Sequence, residues 1–270
     1  MEWSADHTEL RIGPPEILGP TRGQKVGLFD LSRDGQWLVA STKKAYLGFN
    51  PERADEVVRS SGPLTPEHVP NLSPDGRVAA SVAGSRQTRI QIWNPRTGAL
   101  LTNLPISRPN ELAFSPDGRW LACGAVDATT FWLTSDWSLR WRIPHPTEAP
   151  DRYHVTFSAD SRVAAFSVSD HATRLIVVET GEEFATLPTG RMLNSLTFSP
   201  SGDRLVAACE PGYFQVWDLR HLREQLASMN LDWPGPPLPP RPPTRKPIRV
   251  TVLPPDALSP RTGSAKAGAP

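Results

Sequence analysis

The sequence predicts an all-β chain assembled from about five copies of one four-stranded antiparallel unit, followed by a short helix and a proline-rich tail. Three observations carry this expectation: a phrase that recurs five times at near-constant spacing, strand-like alternation within each copy, and an abrupt change of composition after residue 233. The chain has 270 residues, 38% of them hydrophobic and 21% charged. That is enough to bury a core, and too apolar for wholesale disorder.

The phrase reads FDLSRDGQWLVAS from Phe29, PNLSPDGRVAASV from Pro70, LAFSPDGRWLACG from Leu112, VTFSADSRVAAFS from Val155 and LTFSPSGDRLVAA from Leu196. Its serines, Ser32, Ser73, Ser115, Ser158 and Ser199, lie 41, 42, 43 and 41 residues apart. A period of about 40–45 residues is that of a four-stranded propeller blade. In the third copy, Leu112 and Phe114 alternate with polar or small neighbours, as an extended strand requires. Ser115 to Gly118 is then a turn: Pro116 presets φ, Asp117 can bond back to the backbone, and Gly118 accepts positive φ. Trp120–Gly124, Ala128–Leu133 and Ser138–Ile143 follow as second, third and fourth strands. The second copy places its last two strands at Arg89–Asn94 and Ala99–Leu104, the fourth at Arg174–Val178 and Glu183–Leu187. The large apolar residue before each serine (Leu31, Leu72, Phe114, Phe157, Phe198) is expected between adjacent blades, with Phe114 an aromatic core site.

The fifth copy has three strands, ending at Asp218, and then turns helical. Leu219, Leu222, Leu226 and Met229 form an apolar stripe, with Asp218 as N-cap and Asn230 as the residue after the C-cap. The missing outer strand is expected from the other chain end, where Leu10–Ile12 and Glu16–Leu18 read as strands flanking a turn. The propeller is thus expected over residues 1–218, the helix over 219–233 and the tail over 234–270. Five blades closing as a ring is the reading carried forward. The alternatives are an open arc, completion by a partner or by self-association, and a fragment of a longer propeller.

The tail holds twelve of the 30 prolines, six basic residues and one acid, leaving the first 233 residues with 23 basic against 27 acidic. Pro236, Pro239 and Arg241 match a Pro-x-x-Pro-x-Arg peptide ligand, although a stiff polyproline spacer explains the same residues. Ile248–Leu253 alternates like a strand that could add to an edge, and disorder is expected from Pro254 onward.

The FSPDGRWLA phrase, the strand ends Ile92-Trp93-Asn94 and Val216-Trp217-Asp218, and the spacing near 42 residues resemble WD repeats over residues ~20 to 218. Two features depart from that family: no Gly-His pair precedes a first strand, and one copy alone ends in Trp-Asp. The His–Ser–Asp–Trp network typical of the family is therefore not implied for any blade. The stretch from Val216 to Trp233 is similar to the closing segment of large bacterial WD-repeat proteins, many of which carry a serine/threonine kinase domain. No Gly-rich loop, His-Arg-Asp or Asp-Phe-Gly is present here. The resemblance implies a non-catalytic scaffold that binds other proteins, accessory to a larger assembly such as a signalling one.

Several function classes are disfavoured by composition. A net charge of +1 argues against a broad basic surface for nucleic acid. Two cysteines, Cys123 and Cys209, exclude a disulfide framework and fit buried second-strand positions. No signal peptide or membrane-length apolar run is legible, so a cytoplasmic protein without a membrane role is expected. The six histidines show no metal-ligand spacing, and Ser41-x-x-Lys44 lacks its companion motifs. No catalytic residue, cofactor site or metal site is assigned. Counting back from the motif serines places Glu111 and His154 toward a central channel in neighbouring blades. One carboxylate and one imidazole could serve a small-ligand or hydrolytic site, but a polar channel needs no such role. The favoured functional surface is the face formed by the fourth-to-first and second-to-third connections, where Lys25, His68, Arg108, Arg152, Tyr153 and Arg191 are expected to border a partner-binding patch.

Overall fold

The computed structural model describes residues 2–3, 9–12, 26–42, 45–53, 56–60, 69–83, 89–145, 153–189, 193–232, 238, 240 and 249–252. The chain divides into two units, residues 1–18 with 242–270, and residues 19–241. In the first, β1 (Glu2–Trp3) pairs antiparallel with β2 (Glu9–Ile12), and β2 pairs parallel with a strand from the tail, Arg249–Val252. This corrects the expectation for the N-terminal strand. Leu10–Ile12 is committed to residues 250–252 and does not complete the fifth blade. The alternation read at Ile248–Leu253 does mark a strand, and the edge it joins is β2.

The larger unit is a series of five antiparallel blades of the β-propeller type. Blade 1 comprises β3 (Val26–Leu31), β4 (Leu38–Thr42), β5 (Tyr46–Phe49) and β6 (Val58–Arg59). Blade 2 comprises β7 (Asn71–Leu72), β8 (Ala79–Ala83), β9 (Arg89–Trp93) and β10 (Leu100–Pro105). Blade 3 is β11 (Pro109–Phe114), β12 (Trp120–Ala125), β13 (Ala128–Leu133) and β14 (Leu139–Pro144). Blade 4 is β15 (Val155–Phe157), β16 (Val163–Ser169), β17 (Ala172–Val177) and β18 (Glu182–Pro188). Blade 5 has three strands, β19 (Leu193–Phe198), β20 (Arg204–Cys209) and β21 (Tyr213–Asp218), and leads into α1 (Leu219–Ser228). Each blade is an antiparallel meander in chain order, and the first strands of successive blades lie side by side. The tail strand Arg249–Val252 is β22.

The motif works as a turn with a built-in latch. In blades 1 to 4 the serine hydroxyl donates to the aspartate two residues on (Asp34, Asp75, Asp117, Asp160). The same hydroxyl accepts the backbone N–H that opens the second strand, from Trp37, Val78, Trp120 and Val163. The aspartate accepts one more N–H, one residue earlier. Gly35, Gly76, Gly118 and Gly202 take the left-handed φ that the turn requires. In blade 4 this position is Ser161, at φ 63°, and its hydroxyl accepts Asp117 N–H from blade 3 across 3.0 Å. Blade 5 has Ser201 in the aspartate position; Ser199 and Ser201 both donate to Asp203 instead.

Four apolar clusters form the core, one per junction. Val39 and Tyr46 of blade 1 meet Leu72, Ala79 and Trp93 of blade 2. Ile90 and Ile92 meet Leu112, Leu121 and Trp132. Phe131 meets Phe157 and Phe166 edge-on, with ring centroids 6.1 and 6.0 Å apart. Leu175 meets Leu196, Phe198 and Leu205, and Leu219 of α1 joins this last cluster. Close approach also fixes composition: a Cβ on Gly48 would meet the Pro95 carbonyl oxygen of blade 2 at 2.2 Å. The helix ends as the sequence implies. Asp218 caps the N-terminus by accepting His221 N–H at 2.9 Å. Asn230 at φ 57° lets its own N–H reach the Ala227 carbonyl and Leu231 N–H reach that of Leu226. The helix stops at Ser228, short of the expected residue 233.

Two readings of the apolar residue before the motif serine need correction. Leu72, Phe157 and Phe198 are buried, but Phe114 is half-buried and Leu31 is exposed. Phe131→Ala, which empties a fully buried aromatic site, is therefore expected to cost about 3–5 kcal/mol, and Phe114→Ala less than that range. Denaturant midpoints at unchanged slope measure both, and equal losses would contradict this ranking.

Candidate interaction face

The sequence brings Glu111 and His154 together as the strand register implies. Glu111 lies on β11, and His154 stands immediately before β15. The ring Nδ1 lies 2.6 Å from the Glu111 carboxyl, while Nε2 donates to the Leu193 carbonyl of blade 5 at 2.9 Å. His154 N–H donates to Ser167 Oγ at 2.8 Å. One imidazole thus ties three blades together, and with both ring nitrogens engaged it is held as a strut. A group that moves protons needs a nitrogen facing substrate, and here both face the protein. Among the described residues, no cluster of three His, Cys, Asp or Glu side chains could hold a metal ion. Cys123 and Cys209 are free and buried, and desolvation pushes the Cys123 thiol far up from its ordinary value. Neither is a poised nucleophile.

The expected docking residues divide into three groups. Arg108 is exposed, at φ 48°, at the connection from blade 2 into blade 3. Tyr153 is a correction: its ring is buried, stacked on His145 with centroids 5.0 Å apart, and its hydroxyl donates to the Val126 carbonyl at 3.0 Å. It braces blade 4 against the β12–β13 turn and presents no side chain to a partner. Lys25, His68, Arg152 and Arg191 lie outside the described residues, as do Pro236, Pro239 and Arg241 of the proline-rich motif. Leu238, inside that motif, packs against the blade 5 core beside Leu222.

What the sequence reading missed is a cleft of about 450 Å³ that starts at the blade 2 to blade 3 connection and the β12–β13 turn and runs along the outer side of blade 3 to Trp132 and Leu139. Ile106, Trp132 and Leu139 give it an apolar lining, Thr130 receives the Trp132 indole N–H, and Asp127 pairs with Arg142 at 2.6 Å on its rim. The residues that build it come from β10, β13, β14 and two connections, so no local motif announces it. Beyond the rim, His145 contacts Thr129 through Nε2 at 2.8 Å. Burial, and then the charge of Arg174, push the His145 imidazole down to about 4.

Comparison with known families agrees with the geometry. Residues 107–131 and 181–218 match the family described as WD domain, G-beta repeat. These two segments are WD repeats by that match. The second match runs from β18 through β21, so one repeat of sequence supplies the outer strand of blade 4 and the inner strands of blade 5. No curated protein matches the chain. The departures noted for the WD repeats have a structural counterpart: the buried Trp93 Nε1 has no hydrogen-bond partner.

Two measurements check this description. His154→Ala leaves the Glu111 carboxyl and the Leu193 carbonyl without their partner, and a loss of about 1–3 kcal/mol is expected. A double-mutant cycle with Glu111→Gln should show coupling; additive losses would mean that the pair ties nothing together. For His145 the folded value of about 4 lies below the unfolded 6.5. Stability from the neutral ring is therefore complete above pH ~6.5, declines as the unfolded chain takes up a proton, and is gone near pH 4. His145→Gln should flatten melting temperature against pH across that window, and an unchanged slope would refute it.

Proposed function

We propose that the chain is a non-catalytic protein–protein interaction module whose docking face is built from the fourth-to-first and second-to-third connections. The cleft lined by Ile106, Trp132, Leu139 and Arg142 is the observation that carries this reading. An indole and two aliphatic groups beside an arginine is the composition that anchors a partner segment. WD-repeat domains in general serve protein association, and the engagement of His154 on both nitrogens speaks against a channel chemistry. Lys25, His68, Arg152 and Arg191 belong to the same proposed face, with Tyr153 bracing it from beneath. A role as accessory to a larger signalling assembly is part of the proposal, as is residence in the cytoplasm. Among the described residues no helix is long and apolar enough to cross a membrane.

The test compares three chains immobilised in parallel: wild type, Leu139→Glu with Arg108→Glu, and Arg77→Glu on the motif-turn face. Proteins captured from a lysate of the source cells are expected to be retained by wild type and Arg77→Glu and lost at least about tenfold, or 1.4 kcal/mol, from the double variant. Retention of the same proteins by all three chains would place docking elsewhere.

A further inference from the structure

The two ends of the blade series carry apolar faces that match one another. In every blade, the third-strand residues paired with the positions seven and nine after the motif serine point toward the next blade. In blades 1 to 4 these are Gly48 and Tyr46, Ile92 and Ile90, Phe131 and Thr129, and Leu175 and Thr173, all buried. In blade 5 they are Val216 and Phe214, and they are 55% and 76% exposed. The opposite face of each blade receives its predecessor through the residues one and three before the serine. Leu112, Val155, Leu196, Phe157 and Phe198 do so and are buried. Their blade 1 counterparts, Leu31 and Phe29, are 46% and 63% exposed. Blade 5 therefore does not close onto blade 1, and the expectation of a ring sealed by five blades gives way to an arc. Among the described residues, β21 also has no fourth strand paired with it.

From these faces we infer that a second copy of this chain docks head to tail, its blade 1 face, Phe29 and Leu31, seated on Phe214 and Val216 of blade 5. The contact repeats in trans the junction that the chain makes four times within itself, position for position, so it continues an interface already present in the molecule. Exposed apolar groups gathered on two faces mark association surfaces, and two different complementary patches on one molecule give a heterologous contact. This inference stands apart from the proposed docking cleft and does not depend on it.

The test is mass in solution over a range of concentration, on the full chain. Wild type is expected to rise above the 29.7 kDa of one chain as concentration increases. Phe29→Glu alone and Phe214→Glu alone should each stay at one-chain mass, with melting temperatures unchanged because both sites are exposed. Mixed in equal amounts they should form a two-chain species and nothing larger, since each supplies the face the other has lost. Wild type at one-chain mass throughout would overturn the inference. So would association that survives either substitution, or a mixture that fails to pair.

Discussion

A blade with apolar residues on both faces cannot bury either face by itself, and this constraint organises the molecule. Each of the four junctions solves it with the same positions: third-strand groups of one blade against first-strand and second-strand groups of the next. Ile90 and Ile92 against Leu112, and Phe131 against Phe157 and Phe166, are variants of a single contact. Burial of this kind is the dominant favourable term in folding. It is also what makes the series directional, because the face a blade offers forward differs from the one it offers backward.

Register is a separate problem, since a slip of one residue would turn every apolar group to the wrong side. The motif turn prevents it. In blades 1 to 4 serine and aspartate bond to each other and each accepts a backbone N–H from a fixed position, so the second strand starts at the same residue. Blade 5 reaches the same end with Ser199, Ser201 and Asp203. Blade 4 gives up the glycine, and Ser161 in the left-handed region uses its hydroxyl to hold Asp117 of blade 3. Such backbone costs on the order of 1–2 kcal/mol, which the added bond between blades helps to offset.

The features legible in the sequence were those set by neighbours along the chain. Blade number, turn chemistry, the caps Asp218 and Asn230, and the placing of Glu111 and His154 at inner positions of neighbouring blades all follow from short patterns or from the repeat register. Features decided between distant segments were not. Tyr153 reads as an interface residue by type, yet its ring lies against His145 and its hydroxyl against blade 3. Leu10–Ile12 has the pattern of any edge strand, and nothing local says that its partner is Val250–Val252. Phe29 and Leu31 fit the core pattern of their blade-mates, yet no blade among the described residues packs over them and they are exposed.

The polar groups near the first strands are consumed in holding blades together. Asp30 accepts N–H groups from Leu31 and from Leu72 of the next blade, and burial raises its carboxyl above the usual range. That burial opposes ionisation, so Asp30 carries a cost at neutral pH in exchange for fixing β3 to β7. His154 does the same work across three blades. A catalytic site needs groups held in reserve for a substrate, and these are already committed to their neighbours. Among the described residues, the cleft lined by Ile106, Trp132 and Leu139 and the exposed apolar groups of the first and last blades are not so committed.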